Sequence, residues 1–466
     1  MRLVDTHCHL DFKDFDADRD GVLARAAAAG VERIIDVGSS IEGSRRAVEL
    51  AKKHAEVYAA VGIHPHEASS VTDEAIAGLR ALAREKKVVA VGEVGLDFYR
   101  NLSPREDQAP AFRKFIALAL ETGLPLIFHS RDADEELIGI IKEFSAAPPG
   151  AGRGGLHGVV HCFSGDEAFL ARCLDLGLYV SFTCKLTLKN ADALRKVAAC
   201  VPVERLLLET DAPFLLPAAL KNRKIPNEPA NLAYLADEWA KILRLSKEDV
   251  GRITTHNANR LFGLGLGEPS KIAYGIRNSL YLNITNRCTN ACDFCIRNRA
   301  GEFVKGHNLW LDDEPSVGQI LSAVGDPSGY DEIVFCGYGE PTLRLDAVIA
   351  VAAELKKKLA KIRVVTNGHG DLINGPGTAR KMAGLVDRVS VSLNAHTAGL
   401  YEKSCKPKFG AASYAAVTGF IRDCVAAGIE TEATCLDLPG VDIAKCREIA
   451  ASLGARFRQR RLGAVG

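Results

Sequence analysis

The sequence predicts an α/β chain: an N-terminal (β/α)8 TIM barrel followed by a partial (β/α)6 barrel. Three observations carry this. The chain has 466 residues, too many for one ordinary core. Between residue 2 and about 264, eight short apolar runs alternate with longer amphipathic stretches. Past a Gly-rich, Pro-flanked segment, "GLGEPSKIAYG" at 265–275, the alternation resumes with six more runs. The domains are therefore expected at 1–264 and 276–466, with 265–275 as linker.

The first eight runs are "RLVD", "RIIDVG", "VYAAVGIHP", "VVAVGEVGLD", "PLIFH", "GVVHCFS", "LYVSFT" and "RLLLETDAP". Helical patterns such as "REDQAPAFRKFIALALETG" and "GDEAFLARCLDLG" separate them, and the last ends near "TTHNANRLFGLG". Eight β-then-α repeats are the pattern of a closed parallel barrel. The second series reads "NSLYLNIT", "EIVFCGYGEP", "KIRVVTNG", "RVSVSLN", "IETEATCLDL" and "ARFRQRR". Six strands cannot close an eight-stranded barrel, so this half is expected to be open.

Apolar residues make up 47% and charged residues 25%, ordinary for a soluble globular protein. A net charge of +1 argues against a broad basic nucleic-acid surface but permits a local phosphate site. No apolar run is long enough to span a bilayer, and "MRLVDTHCH" runs straight into a strand with no leader. Thirteen cysteines without a leader point to a reducing cytoplasm, with thiols for packing or iron. The oligomeric state is not legible.

Barrel enzymes carry their chemistry at the C-terminal ends of strands. His7 and His9 end the first run and, two apart, point to one side of it. His64 and His66 end the third, Glu93 and Asp97 the fourth, His129 the fifth, His161 the sixth and Asp211 the eighth. Imidazoles and carboxylates converging on one rim can bind two divalent cations, which clamp an in-line displacement and acidify a bound water. Cys8 and Cys162 alternate with these positions and are expected to face the outer helices as packing thiols.

At "DTHCHLDF", "VGIHPHEA", "VGEVGLDFYR", "PLIFHSRDA", "HCFSG", "LLLETDAPFLLP", "NEPAN" and "NANRLFG" the chain resembles the TatD family of metal-dependent nucleases, over about 260 residues. The resemblance implies metal ligation by His7, His9, Glu93, His129, His161 and Asp211. Glu93 would bridge two ions (Mg, Mn or Zn), and Asp211 would also act on the attacking water, making these two the catalytic pair. It further implies substrate positioning by His64 and His66, with Arg223 and Lys224 of "KNRKIPNEPAN" as phosphate contacts. The implied activity is hydrolysis of phosphodiester bonds in DNA or RNA. Hydrolysis of an aminoacyl-tRNA ester is the alternative within that class, and a module delivering nucleic acid to the second domain is the alternative outside it. The chain departs from the family at "SFTCK", where Cys184 replaces a glycine, and in the loop after the eighth strand.

In the second half, Cys288, Cys292 and Cys295 form a Cys-x3-Cys-x2-Cys trio just after the first apolar run. Zinc modules usually offer four ligands in two close pairs, and His307 fits no common zinc spacing as a fourth. Three thiolates leave one iron of a [4Fe–4S] cube open to a small molecule. The trio resembles the signature of the radical S-adenosylmethionine (SAM) enzymes, over about 190 residues. That resemblance implies a [4Fe–4S] cluster, SAM as co-substrate, and a flavodoxin- or ferredoxin-like electron donor. It also implies reductive cleavage of SAM to a radical that abstracts hydrogen from a substrate. Gly337, Tyr338, Gly339, Glu340 and Pro341 look like the family's SAM-amino-binding segment. Thr366, Ser392 and Asn394 are the candidates for contacts to the SAM carboxylate or ribose. Cys405, Cys424, Cys435 and Cys446 show no close pair and read as packing thiols rather than a second cluster. "KKK" at 356–358 and "RQRR" at 458–461 read as solvated faces. Both sites are expected to serve one nucleotide-derived substrate class.

Overall fold

A computed structural model describes residues 1–144, 155–267, 269–297 and 303–461. By internal contacts the chain divides into two compact units, Met1–Gly267 and Glu268–Gly466.

The first unit is an eight-stranded parallel barrel: β1 (Leu3–Cys8), β2 (Val31–Val37), β3 (Val57–Val61), β4 (Val88–Asp97), β5 (Leu126–Arg131), β6 (Gly158–Val160), β7 (Tyr179–Phe182) and β8 (Leu206–Leu208). The strands pair in sequence order, and a parallel bridge between Cys8 and Ala212 brings the last strand back to the first. Parallel strands buried on both faces need near-continuous apolar sequence, and β1, β4, β6, β7 and β8 are buried throughout. Every strand contributes to one cluster: Val4, Ile35, Ala60, Val89, Ile127, Val159, Tyr179 and Leu207. Leu261, Phe262, Leu264 and Leu266, from the end of the last helix and just beyond, join it.

Local signals set the helix ends. Ser40 caps α2 (Ile41–Lys53) by accepting from the Gly43 amide, and Ser246 caps α9 (Lys247–Phe262) through the Asp249 amide. Helix α4 (Arg105–Thr122) stops at Gly123, whose φ of 72° opens the left-handed turn that returns its amide to the Ala119 carbonyl.

The second unit is an open seven-stranded sheet. Six strands are parallel: β10 (Ser279–Leu282), β13 (Glu332–Phe335), β14 (Ile362–Thr366), β15 (Arg388–Ser392), β16 (Glu430–Leu436) and β17 (Arg456–Arg460). These are the six runs read from the sequence. The seventh, β9 (Ala273–Ile276), pairs antiparallel with β10 and comes from the segment expected to be linker. Residue 268 of that segment lies outside the described residues. The strand forms because Tyr274 and Ile276 alternate toward a small apolar cluster with Tyr281, and Arg277, at φ 54°, turns the chain straight into β10. A short hairpin, β11 (Phe303–Val304) and β12 (His307–Asn308), also went unread. His307 is buried there with Nε2 3.0 Å from the Gly275 carbonyl. Cys405, Cys424, Cys435 and Cys446 are all buried in the apolar core, with Cys435 and Cys446 sulfurs 3.6 Å apart. Among the described residues no helix is long and apolar enough to cross a membrane.

The chain has two tryptophans, Trp239 fully buried in the first unit and Trp310 42% exposed in the second. In a Trp310→Phe background, urea unfolding followed by Trp239 fluorescence reports the barrel. There Leu235→Ala, at a fully buried position on the helix of Trp239, is expected to cost about 2–5 kcal/mol.

Candidate functional site

The C-terminal ends of the barrel strands open into a cavity of about 770 Å³. His9, just past β1, lines it, and His7 within β1 lies buried beside His9, their Nε2 atoms 3.3 Å apart. His9 Nδ1 lies 2.8 Å from the Val37 carbonyl, which fixes the proton there and leaves the Nε2 lone pair for a cation. The Glu93 carboxylate stands at the centre. Its Oε1 is 2.7 Å from His129 Nδ1, 2.7 Å from His161 Nε2 and 3.4 Å from His64 Nε2. Its Oε2 faces the other way, 3.5 Å from His7 Nε2 and 4.0 Å from His9 Nε2. Asp211 Oδ1 is 3.6 Å from His9 Nε2 and 3.8 Å from His7 Nε2. Barrel closure holds Asp211 there: its amide donates to the His7 carbonyl at 2.9 Å, with φ at 55°.

Charge follows this geometry. Burial opposes ionisation of Glu93, yet His161, His64 and His129 hold its carboxyl well below the usual range. Burial likewise opposes a charged His9, but Asp211 and Glu93 push it up to about 9. His129 and His161 are raised against burial, His129 by Asp97 and Glu93, His161 by Glu93 and Glu209. Burial lowers His7, and takes His64 down to about 4. The donor set fits divalent metal. Facing nitrogens of His7 and His9, and of His129 and His161, sit 3.3 Å apart with carboxylate oxygens beside them, an arrangement that a cation between the nitrogens satisfies. Three groupings have ligand atoms within 4.8 Å of one another: His7, His9 and Asp211; His7, His161 and Glu209; His64, Glu93 and His129.

One buried carboxylate escaped the sequence reading, and another stands behind a histidine where only its strand-end place was read. Glu209 is fully buried, accepts from Ser181 Oγ at 2.6 Å and the Cys162 amide at 2.5 Å, and lies 3.5 Å from His161 Nδ1. Asp97, noted only as a strand-end residue, takes His66 Nε2 at 2.8 Å and His129 Nε2 at 3.2 Å. A carboxylate behind a ligating histidine orients the ring and raises its basicity. For Glu209 a signal existed in the "LLLETD" run, where it is two residues before Asp211 at the same strand end. His64 and His66 both line the cavity, but His64 stands among the ion-sized groupings and His66 against Asp97. Arg223 and Lys224 are not brought in: both are exposed on their loop, outside the cavity lining. Cys8 is buried as expected, whereas Cys162 is not directed to the helices. Strand β6 ends at Val160, so alternation has stopped, and a φ of 47° leaves Cys162 on the cavity wall. Cys184 is buried, its thiol 3.7 Å from the Asn231 carbonyl.

In the second unit the cysteine trio follows β10, with Cys288 exposed and Cys292 and Cys295 partly so. Asn290 N and Asn367 Nδ2 lie 3.4 and 3.8 Å from Cys288 Sγ. A buried chain ties this loop to the end of β14: Asn367 Nδ2 donates to Thr289 Oγ1 at 2.7 Å, Thr289 meets His369 Nδ1 at 2.9 Å, and His369 Nε2 meets Tyr401 OH at 3.2 Å. Gly337 and Gly339 lie against the end of β10. A Cβ on Gly339 would fall 2.3 Å from the Thr285 carbonyl oxygen and 2.4 Å from that of Arg287. The two glycines thus let this segment pack directly against the backbone that leads into the cysteine loop. Glu340 is occupied otherwise. Its Oε1 accepts from Thr342 Oγ1 and Thr366 Oγ1, both at 2.7 Å, and its Oε2 from the Asn367 amide at 2.7 Å. Tyr338 and Pro341 are buried, Ser392 is half-buried, and Asn394 is buried with φ at 55°.

A metal-dependent hydrolase barrel joined to a second enzyme domain is the class this arrangement defines. Residues 4–263 match the family described as TatD related DNase, and residues 282–453 match the radical SAM superfamily. The chain belongs to the TatD family, its hydrolase domain fused to a C-terminal radical SAM domain. It is 40% identical over 260 residues to the uncharacterized metal-dependent hydrolase YabD of Bacillus subtilis, covering 56% of this chain and 98% of the relative. It is 38% identical to the 3′-5′ ssDNA/RNA exonuclease TatD of Cronobacter turicensis, covering 56% of this chain and 97% of that one. Among solved structures, the TatD homolog YjjV of Escherichia coli superposes with a TM-score of 0.51 at 32% identity, over 56% of this chain and 98% of that chain.

The raised histidines set a pH dependence for metal-free protein. Each contributes stability that is complete below pH 6.5 and is lost as pH rises through its folded pKa, about 9 for His9. Thermal unfolding followed by Trp239 should therefore fall between pH 6.5 and 9 without metal. Adding Mn2+ or Zn2+ should reverse the fall, with proton release measurable by calorimetry in buffers of different ionisation enthalpy.

Proposed function

We propose that the barrel hydrolyses phosphodiester bonds of DNA or RNA with two divalent ions, Mg, Mn or Zn. The observation that carries this is the Glu93 carboxylate, whose two oxygens face different imidazole sets. His7, His9 and Asp211 would hold one ion, and His129, His161 and His64 the other, with Glu93 between them. Bound ions would supply Lewis acidity toward a phosphoryl oxygen and a more acidic water. The chain's own groups do the rest. Asp211 accepts the proton of the attacking water, since its carboxylate is ionised and kept low, despite burial, by His9 and His7. Asp97 and Glu209 keep His129 and His161 oriented. His66, held by Asp97 at the cavity edge, positions substrate. The nucleic-acid substrate of the Cronobacter relative supports the same class.

For the second unit we read Cys288, Cys292 and Cys295 as the ligands of a [4Fe–4S] cluster. Gly337, Gly339 and the ends of β14 and β15 would then receive SAM. The cluster and SAM would supply radical chemistry driven by an external one-electron donor. Glu340 and Thr366, bonded to each other, would brace the two loops and, with Tyr338, Pro341, Ser392 and Asn394, remain the candidates for SAM contacts.

Two outcomes test these readings. With Mn2+ or Mg2+ the protein should cleave a single-stranded oligonucleotide, chelator should abolish this, and Asp211→Asn should lower kcat by about 10²–10⁴. Full activity in that variant removes Asp211 from the mechanism. After anaerobic reconstitution the protein should hold about four irons and four sulfides. Cys292→Ala should lose them while still hydrolysing the oligonucleotide; a single zinc in their place would sink the cluster reading.

A further inference from the structure

Lys185 follows β7, in the "SFTCK" stretch where the sequence departs from the family pattern. Strand β7 lies between β6 and β8, which deliver His161 and Asp211. The lysine therefore enters the cavity on the side of the proton acceptor, while Arg100 and Arg131 line it from the ends of β4 and β5. Its root is fixed: Thr183 Oγ1 accepts the Lys185 amide at 3.4 Å, and Thr187 Oγ1 donates to the Cys184 carbonyl at 2.7 Å. Its ammonium lies 3.3 Å from Cys162 Sγ. Cys162 is in turn held by the Glu209 carboxylate on its amide at 2.5 Å. Among the described residues no carboxylate stands within 4.0 Å of that ammonium. Arg131 differs in having its guanidinium laid over the Tyr99 ring at 4.0 Å.

A half-buried cation on the wall of the cavity that Asp211 also lines, with a cysteine sulfur rather than a carboxylate against it, is placed to meet an anionic ligand. The loop cations Arg223 and Lys224, expected to meet phosphate, lie outside the cavity. We infer that Lys185 binds a phosphate oxygen of the substrate, and that Cys162 is the positioning residue that holds its ammonium at the cavity wall. The inference rests on the phosphodiesterase reading for the identity of the substrate, but not for the existence of the anion site. It deepens that reading by placing an anionic phosphate, rather than the neutral carbonyl of an aminoacyl ester, in the cavity that Asp211 lines.

The test is binding, with turnover beside it. A fluorescein-labelled ten-residue oligothymidylate is titrated into the full-length protein in chelator, so that the strand stays intact, and its anisotropy is followed against salt. Lys185→Met should weaken binding about 10- to 100-fold, the range of a charge-assisted hydrogen bond. The slope of log Kd against log salt should drop by about one phosphate contact. Lys185→Arg should restore most of both, and Cys162→Ala should weaken binding less than Lys185→Met. With metal present, Lys185→Met should raise KM for bis(p-nitrophenyl) phosphate. Unchanged affinity and slope in Lys185→Met, or no binding by the wild type, overturns the inference. Should the wild type hydrolyse no phosphodiester with any metal while the Lys185-dependent binding persists, the function falls and the anion site stands. Circular dichroism of each variant separates these results from misfolding.

Discussion

A carboxylate buried in a protein must be paired, or it takes a proton. Glu93, 3% exposed within β4, meets that constraint through five imidazoles delivered by β1, β5, β6 and the turn after β3, or just past those strands. No single element could do this. The parallel barrel brings four strand ends around one point, and the bridge between Cys8 and Ala212 closes the ring so that Asp211 completes it. The apolar strand interiors and the cluster joined by Leu261 and Phe262 thus have a task beyond stability. They hold the donor atoms of each grouping within 4.8 Å of one another.

The second unit contains a carboxylate under the same constraint with the opposite outcome. Glu340 is 2% exposed, also beyond a strand end, but its partners are hydroxyls and amides of Thr342, Thr366 and Asn367. Those groups donate hydrogen bonds to it, so its charge is met without a cation. Burial raises its carboxyl while these bonds hold it back. Glu93 is surrounded by groups that need an electron-pair acceptor, Glu340 by groups that are one. The same residue type therefore reads as a ligand in one unit and as a brace in the other, and the distinction lies in the partners rather than in burial.

That distinction marks what was legible in the sequence. Fourteen parallel strands were visible because buried parallel strands need unbroken apolar runs between amphipathic helices. The residues that meet in the barrel cavity were visible because chemistry placed at strand ends leaves His and carboxylates where apolar runs stop. What stayed hidden depended on local geometry. Strand β9 is four residues long and begins in a Gly- and Pro-flanked stretch. Cys162 was assigned by alternation, but the strand had ended two residues earlier and φ had turned positive. The bonds of Glu340 to Thr342, Thr366 and the Asn367 amide also depend on the fold, which its place in a glycine-rich motif does not reveal. Arg223 and Lys224 were read from charge in a loop, and loop direction is set by turns that the composition does not encode.

The two donor sets are also matched to keeping their ions apart. Imidazoles and carboxylates suit Mg, Mn or Zn, whereas thiolates suit zinc and iron–sulfur clusters, so zinc is the ion both could claim. The barrel site has imidazoles and carboxylates already converged around Glu93, with His9 anchored on the Val37 carbonyl and His129 and His161 backed by Asp97 and Glu209. The cysteine loop instead brings three thiols to one short turn, Cys288 exposed and Cys292 and Cys295 partly so. Donor softness alone therefore directs different metals to the two units, with no need for the two sites to communicate.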